Sequence, residues 1–189
     1  CIRDREMNSY IRYPSEWSRQ EEVFHILDTQ TSDNVEVTIA CAVQALNVYY
    51  LPDFIQWKLE QGFKKVNMWP FGAGGISQHF VYWPGQLNVK SLPSDFKSKC
   101  RKKYEAWYPW WEKNWELGIP NWHKGKVDYN TWRSAEYGIK RLEGILSFME
   151  SEDWSLRLPE MKEFIALCDK QRSLSFVETF PEMKDIFNE

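Results

Sequence analysis

Long apolar runs are missing from this chain, and with a mean hydropathy of −0.60 that excludes a membrane-spanning helix. Cysteine is scarce: four stand in 189 residues, at positions 1, 41, 100 and 168. Such scatter fits neither the spacing of a zinc site nor the thiolate set of an iron–sulfur cluster. Cys41 and Cys168 lie among apolar neighbours, which favours a reduced, cytoplasmic setting over a disulfide framework. No charge sign dominates, since 24 Lys and Arg stand against 27 Asp and Glu. The net charge of −3 carries no strong nucleic-acid signal. No serine has the flanking glycines of a nucleophile elbow, and the glycines after Trp69 lack P-loop or dinucleotide spacing. Carboxylates sit mostly at charged-pair spacing, and no acid–base pair stands out among them. No signal peptide opens the chain, and its start at Cys1 without a Met suggests a piece of something longer.

Aromatic residues are abundant: 11 Trp, 9 Tyr and 11 Phe make up 16% of the chain. Wide aromatic faces bind sugars, bases or peptides, and they also fill cores and interfaces, which is the first reading here. The organising stretch is Val35 to Phe71. Val35 to Val43 is β-branched and nearly continuously apolar, as a strand buried on both faces would be. Leu51 to Leu59 reads as a helix with Pro52 in its first turn, ended by Gly62. Lys64 to Trp69 reads as a second strand, which would be parallel to the first. Ligands of parallel sheets sit beyond the carboxyl ends of the strands, so Gln44–Asn47 and Asn67–Gly75 are the places to look.

Elsewhere, residues 1–14 are polar, with a loop over Asn8–Pro14. Ser15 can cap a helix carrying Trp17, Phe24 and Leu27 on one face and ending near Gln30, with His25 on its solvated side. Pro70 to Gly75 is either an anion or cofactor loop or a mobile one. His79–Trp83 and Gln86–Val89 suggest a hairpin around Pro84-Gly85. Pro93 and Ser94 open a helix with Phe96, Cys100, Tyr104 and Trp107 at helical spacing. Its Lys97 to Lys103 cluster reads as a solvated face rather than a phosphate site. Pro109 breaks or kinks that helix, and Trp111 and Trp115 continue the stripe. The longest helix is expected from Thr131 to Glu150, capped by Asp128 or Asn130, with a seam of Trp132, Ala135, Ile139, Leu142, Leu146 and Met149. Two segments opening Pro159-Glu160 and Pro181-Glu182 each start a helix.

Several stretches resemble the second half of the barrel in twitch-domain-containing radical SAM proteins. They are Tyr10-Ile11-Arg12-Tyr13-Pro14-Ser15-Glu16-Trp17, Val37 to Tyr49, Leu87-Asn88-Val89 with Leu92-Pro93, and Phe180-Pro181-Glu182. The resemblance implies an α/β fold: a partial (half) β/α barrel with parallel strands over residues 1–92, then a mainly helical region over 93–189. It implies S-adenosylmethionine and a [4Fe–4S] cluster for a full-length parent. The cluster-binding Cys-x₃-Cys-x₂-Cys loop and the glycine-rich strand of the first half are absent here. This chain alone is therefore expected to hold no cofactor and to do no radical chemistry. It could still wall an adenosine pocket with Thr38, Gln44, Asn47 and Asn67, whose alternative role is strand-end hydrogen bonding. Partners would be a second copy or the missing N-terminal half, because a half barrel leaves sheet edges unpaired unless the C-terminal helices cover them. The competing reading is a stand-alone α/β interaction module presenting a Trp-rich helical surface and the basic cluster.

Overall fold

Ile39–Val43 forms the first strand, β1, and its partner is Ile76–Phe80, β2, in a parallel register that sets Ile39 beside Ile76 and Val43 beside Phe80. The computed structural model describes residues 2–30, 32, 37–66, 76–118 and 134–187. Among the described residues the sheet has these two strands, and the remaining regular elements are helices. Strand pairing starts later than the apolar run suggests: Val37 and Thr38 are irregular, while Val35 and Glu36 lie outside the described residues.

The partner strand differs from the expected one. Lys64–Val66 is a bend, and Asn67–Trp69 lies outside the described residues. The cause is local: the Asp28 carboxylate accepts from the amides of Lys65 and Val66 at 2.6 and 3.0 Å. Those amides are thus committed to a side chain, and Val66 buries against a small cluster with Trp17, Trp57 and Phe63. The expected hairpin around Pro84-Gly85 is absent as well. Its first arm contributes to β2, whereas Gly85–Leu87 and Val89–Ser91 form 3-10 turns. Asn88, fully buried between them, donates through Nδ2 to Val81 O at 2.9 Å and accepts from Lys90 N at 3.0 Å. These bonds satisfy locally what a ladder would otherwise satisfy.

Between the strands, α3 spans Leu51–Glu60 with Pro52 in its first turn, and Gly62 follows it at φ +66°, as read from sequence. Asn8–Pro14 is not a loop throughout, because its first four residues are helical. Ile2–Ile11 is a helix, α1, followed by the turn at Arg12–Pro14. Met7, Tyr10 and Ile11 seat it at spacings of three and four, and the Tyr10 hydroxyl donates to Asp169 at 2.6 Å. Trp17–Gln30 is α2, ending where expected, with Trp17 buried; Ser15 does not cap it, since Trp17 N donates to Ser9 Oγ and Ser15 Oγ accepts from the Gln20 side chain.

The helical region opens with α4, Ser94–Asn114, whose buried stripe of Phe96, Cys100, Tyr104 and Trp107 extends to Trp111. Helix assignment continues unbroken past Pro109, so α4, at 21 residues, exceeds α5 (Ala135–Glu150) at 16. Ser134 caps α5 by accepting from Tyr137 N; Asp128, Asn130 and Thr131–Arg133 lie outside the described residues. Gly138 of α5 lies under Trp111, where an added Cβ would stand 2.1 Å from the indole. Arg101 ties the two helices further, donating to Glu150 at 2.8 and 2.7 Å and to Glu143 at 3.1 Å. Leu158–Arg172 (α6), Phe176–Thr179 (α7) and Lys184–Phe187 (α8) complete the chain, with both Pro-Glu segments starting helical turns. One core cluster runs from Met7 through Val43 and Leu92 to Ile186, so β1, the segment after β2 and the C-terminal helices share an interior.

Candidate functional site

A cavity of about 570 Å³ lies between α1, α2 and β1, with the start of α3 at its end. It falls in the size range of small-molecule sites. Its wall includes every residue from Val37 to Ala42. Neighbouring residues of a strand point to opposite faces, so a cavity that meets all of them meets the strand along its edge.

Backbone geometry shows which edge. Val81 N donates to Val43 O at 3.0 Å, so the polar groups of Val43 face β2. The N–H and C=O of one strand residue point to the same side and alternate along the chain. Ile39 and Cys41 therefore also face β2, while Ala40 and Ala42 face away from it, toward the unpaired edge. At the carboxyl end that edge is closed by a side chain. Asn47 Nδ2 donates to Ala42 O at 2.9 Å, and Asn47 Oδ1 accepts from Gln44 N at 2.8 Å. A residue on an adjacent parallel strand would bond to this same pair of groups flanking Val43.

Two further polar groups are placed here. Among the described residues, Asn8 Nδ2 and Trp17 Nε1 are buried without a hydrogen-bond partner, and both residues line the cavity. A buried unpaired donor costs about 1–3 kcal/mol, so each N–H has reason to take an acceptor. The walls are otherwise largely apolar, with Phe24 and Phe54 facing Trp17 in edge-on ring pairs at 6.4 and 6.3 Å. Among the described residues Arg12 is the one charged residue on the wall, with no Asp, Glu, Lys or His beside it. Its charge reaches Cys41, whose thiol burial pushes up to about 11 while Arg12 pulls it the other way.

Of the residues singled out from sequence, Thr38, Gln44 and Asn47 do meet on this cavity, with Thr38 exposed and Gln44 buried. Asn67 lies outside the described residues. Both ends of the Asn47 carboxamide are committed to backbone, which is the strand-end role. Sequence reading missed Asn8 and Arg12, because residues 8–14 read as a loop rather than as one wall of a cleft. It placed Trp17 on a packing stripe, and the indole N–H within that stripe left no signal.

The described residues do not suit an iron–sulfur cluster. Cys41 lies on β1, Cys100 on α4 and Cys168 on α6, and none is joined to another. Burial raises the thiols of Cys41 and Cys100 to about 11 and about 12, away from the thiolate a cluster requires. Among the described residues no group of His, Cys, Asp or Glu could hold a metal ion. No described helix is long and apolar enough to cross a membrane. No protein-family model matches this chain, and neither does any curated protein or solved structure.

Proposed function

We propose that the chain is the C-terminal half of a radical SAM-like partial barrel, a part that walls a ligand pocket and leaves the radical chemistry to residues elsewhere. The supporting observation is the open edge of β1, which runs along a cavity of about 570 Å³ instead of packing against a further described element. A parallel strand is stable when both edges are paired and both faces covered. The described C-terminal helices do not provide this cover, since no described residue beyond α3 lines the cavity. The edge is thus suited to a strand from a complementing half, with a second copy of this chain as the other candidate. Thr38 and Gln44 then face a pocket shared by the two parts.

Anaerobic reconstitution of this chain with iron and sulfide tests the division of labour. The expected result is no bound cluster, and a stoichiometric four-iron absorbance band would refute the proposal. Reading the codons upstream of Cys1 tests its other limb: a three-cysteine loop is expected there, and its absence from a longer natural chain would overturn the family assignment.

The interaction-module reading draws on the half-exposed rings of Trp110 and Trp115, since Trp107 and Trp111 are interior. The basic cluster is largely engaged within the fold: Lys97 Nζ donates to Glu152 O, Lys99 Nζ to Glu182 O, and Lys103 pairs with Asp53. Trp115→Ala separates the two readings. Unchanged folding with loss of a captured partner would favour the module, whereas lost stability marks Trp115 as packing.

A further inference from the structure

We propose that the cavity between α1, α2 and β1 binds an aromatic carboxylate, with the ring system against Trp17, Phe24 and Phe54 and the carboxylate toward Asn8, Trp17 and Arg12. The inference uses the same cavity as the half-barrel reading but stands without it. It begins with an imbalance in the wall. Asn8 Nδ2 and Trp17 Nε1 are buried donors with no partner among the described residues. Arg12 adds the one formal charge of the described wall, and among the described residues no carboxylate lines the cavity to answer it. The unpaired edge of β1 adds the Ala40 and Ala42 amides and one acceptor, the Ala40 carbonyl, since Ala42 O is taken by Asn47.

A donor-rich wall with a single cation selects acceptors, and anionic acceptors most of all, because charge-assisted hydrogen bonds are the stronger ones. It disfavours ammonium ligands, which would bring a like charge beside Arg12 and more donors to unpaired donors. The rest of the wall fixes the body of the ligand. Trp17 and Phe54 already touch edge-to-face at 6.3 Å, so a flat fused ring would lie against the cavity side of this aromatic wall rather than between its members. A volume of about 570 Å³ leaves ample room for a bicyclic acid.

The test is calorimetric titration of the whole chain with 2-naphthoate, 2-naphthamide and 2-naphthylmethylamine, which share a ring system and differ in charge. The naphthoate is expected to bind saturably at one site, the amide about tenfold more weakly, and the amine not measurably. Trp17→Phe keeps a ring and removes the N–H; it should weaken naphthoate about five- to tenfold, and because Trp17 is buried the smaller ring should also lower the melting temperature. Arg12→Gln alters an exposed residue and keeps the test valid if the first variant fails to fold. It should weaken naphthoate while leaving the amide as it was. Naphthoate that gives no saturable heat, an amine that binds as well as the acid, or naphthoate affinity indifferent to Arg12→Gln would overturn the proposal. Iron uptake by the chain bears on the half-barrel reading alone, so the two fail separately.

Discussion

Asn47 takes the place of a neighbouring strand beside Val43: its carboxamide bonds Ala42 O at 2.9 Å and Gln44 N at 2.8 Å, the groups on either side of that residue. One side chain thereby ends the open edge of β1 and fixes the turn that leads into α3. Asn47→Ala strips partners from both backbone groups and should lower unfolding stability by about 2 kcal/mol. Asn47→Asp keeps the acceptor for Gln44 N but sets a carboxylate against Ala42 O, so it should recover little of the loss. Urea unfolding of the three proteins measures this, and an Asn47→Ala midpoint equal to the parent's would contradict it.

Two glycines of α5 should respond in opposite directions. Gly138 lies against Trp111 with only 2.1 Å for a new Cβ, and the indole is held there by its own bond to Ala135 O at 2.8 Å. Gly138→Ala should therefore cost about 1–3 kcal/mol as an overpacked site. Gly144 has nothing within 4 Å of the same position. Gly144→Ala should stabilise by about 0.5–1 kcal/mol through helix propensity. Thermal melts of both variants decide the matter.

Lys58 is fully buried on α3, and loss of solvent pulls its ammonium down to about 7. In the unfolded chain a lysine titrates near about 10.4. Between those values the unfolded chain holds the extra proton, so stability rises with pH and is lost as pH falls toward 7. The Cys41 and Cys100 thiols, raised in the fold, work in the opposite sense above their ordinary value of 9.0. The comparison is cleanest between about pH 7 and about 9. Lys58→Met should flatten the slope of unfolding free energy in that window. An unchanged slope would mean that the buried amine stays charged.

The helices that carry their own packing pattern were legible in sequence. Phe96, Cys100, Tyr104 and Trp107 recur every three or four residues, and the α4 stripe follows them. Leu142, Leu146 and Met149 do the same for α5, and Pro52 and Gly62 mark the two ends of α3. The missed features depend on partners distant in sequence. The stripe of α1 is short because its anchor is a bond from Tyr10 to Asp169, across the whole chain. β2 starts three residues before the arm read at His79, and its parallel pairing with β1, rather than with a hairpin arm, depends on the distant strand. For the cavity, sequence pointed to the carboxyl end of β1 and so to Gln44 and Asn47. It could not show that Asn8 and Trp17, from α1 and α2, face the same space with donors unspent.

Hydrogen exchange along β1 tests the open edge most directly. Cys41 and Val43 face β2, and Gln44 N is held by Asn47, so these amides should be protected. The Ala40 and Ala42 amides face the cavity and should exchange markedly faster than their neighbours, giving an alternating pattern. Uniform protection from Ala40 to Val43 in the isolated chain would show that this edge is already paired, and would contradict the account.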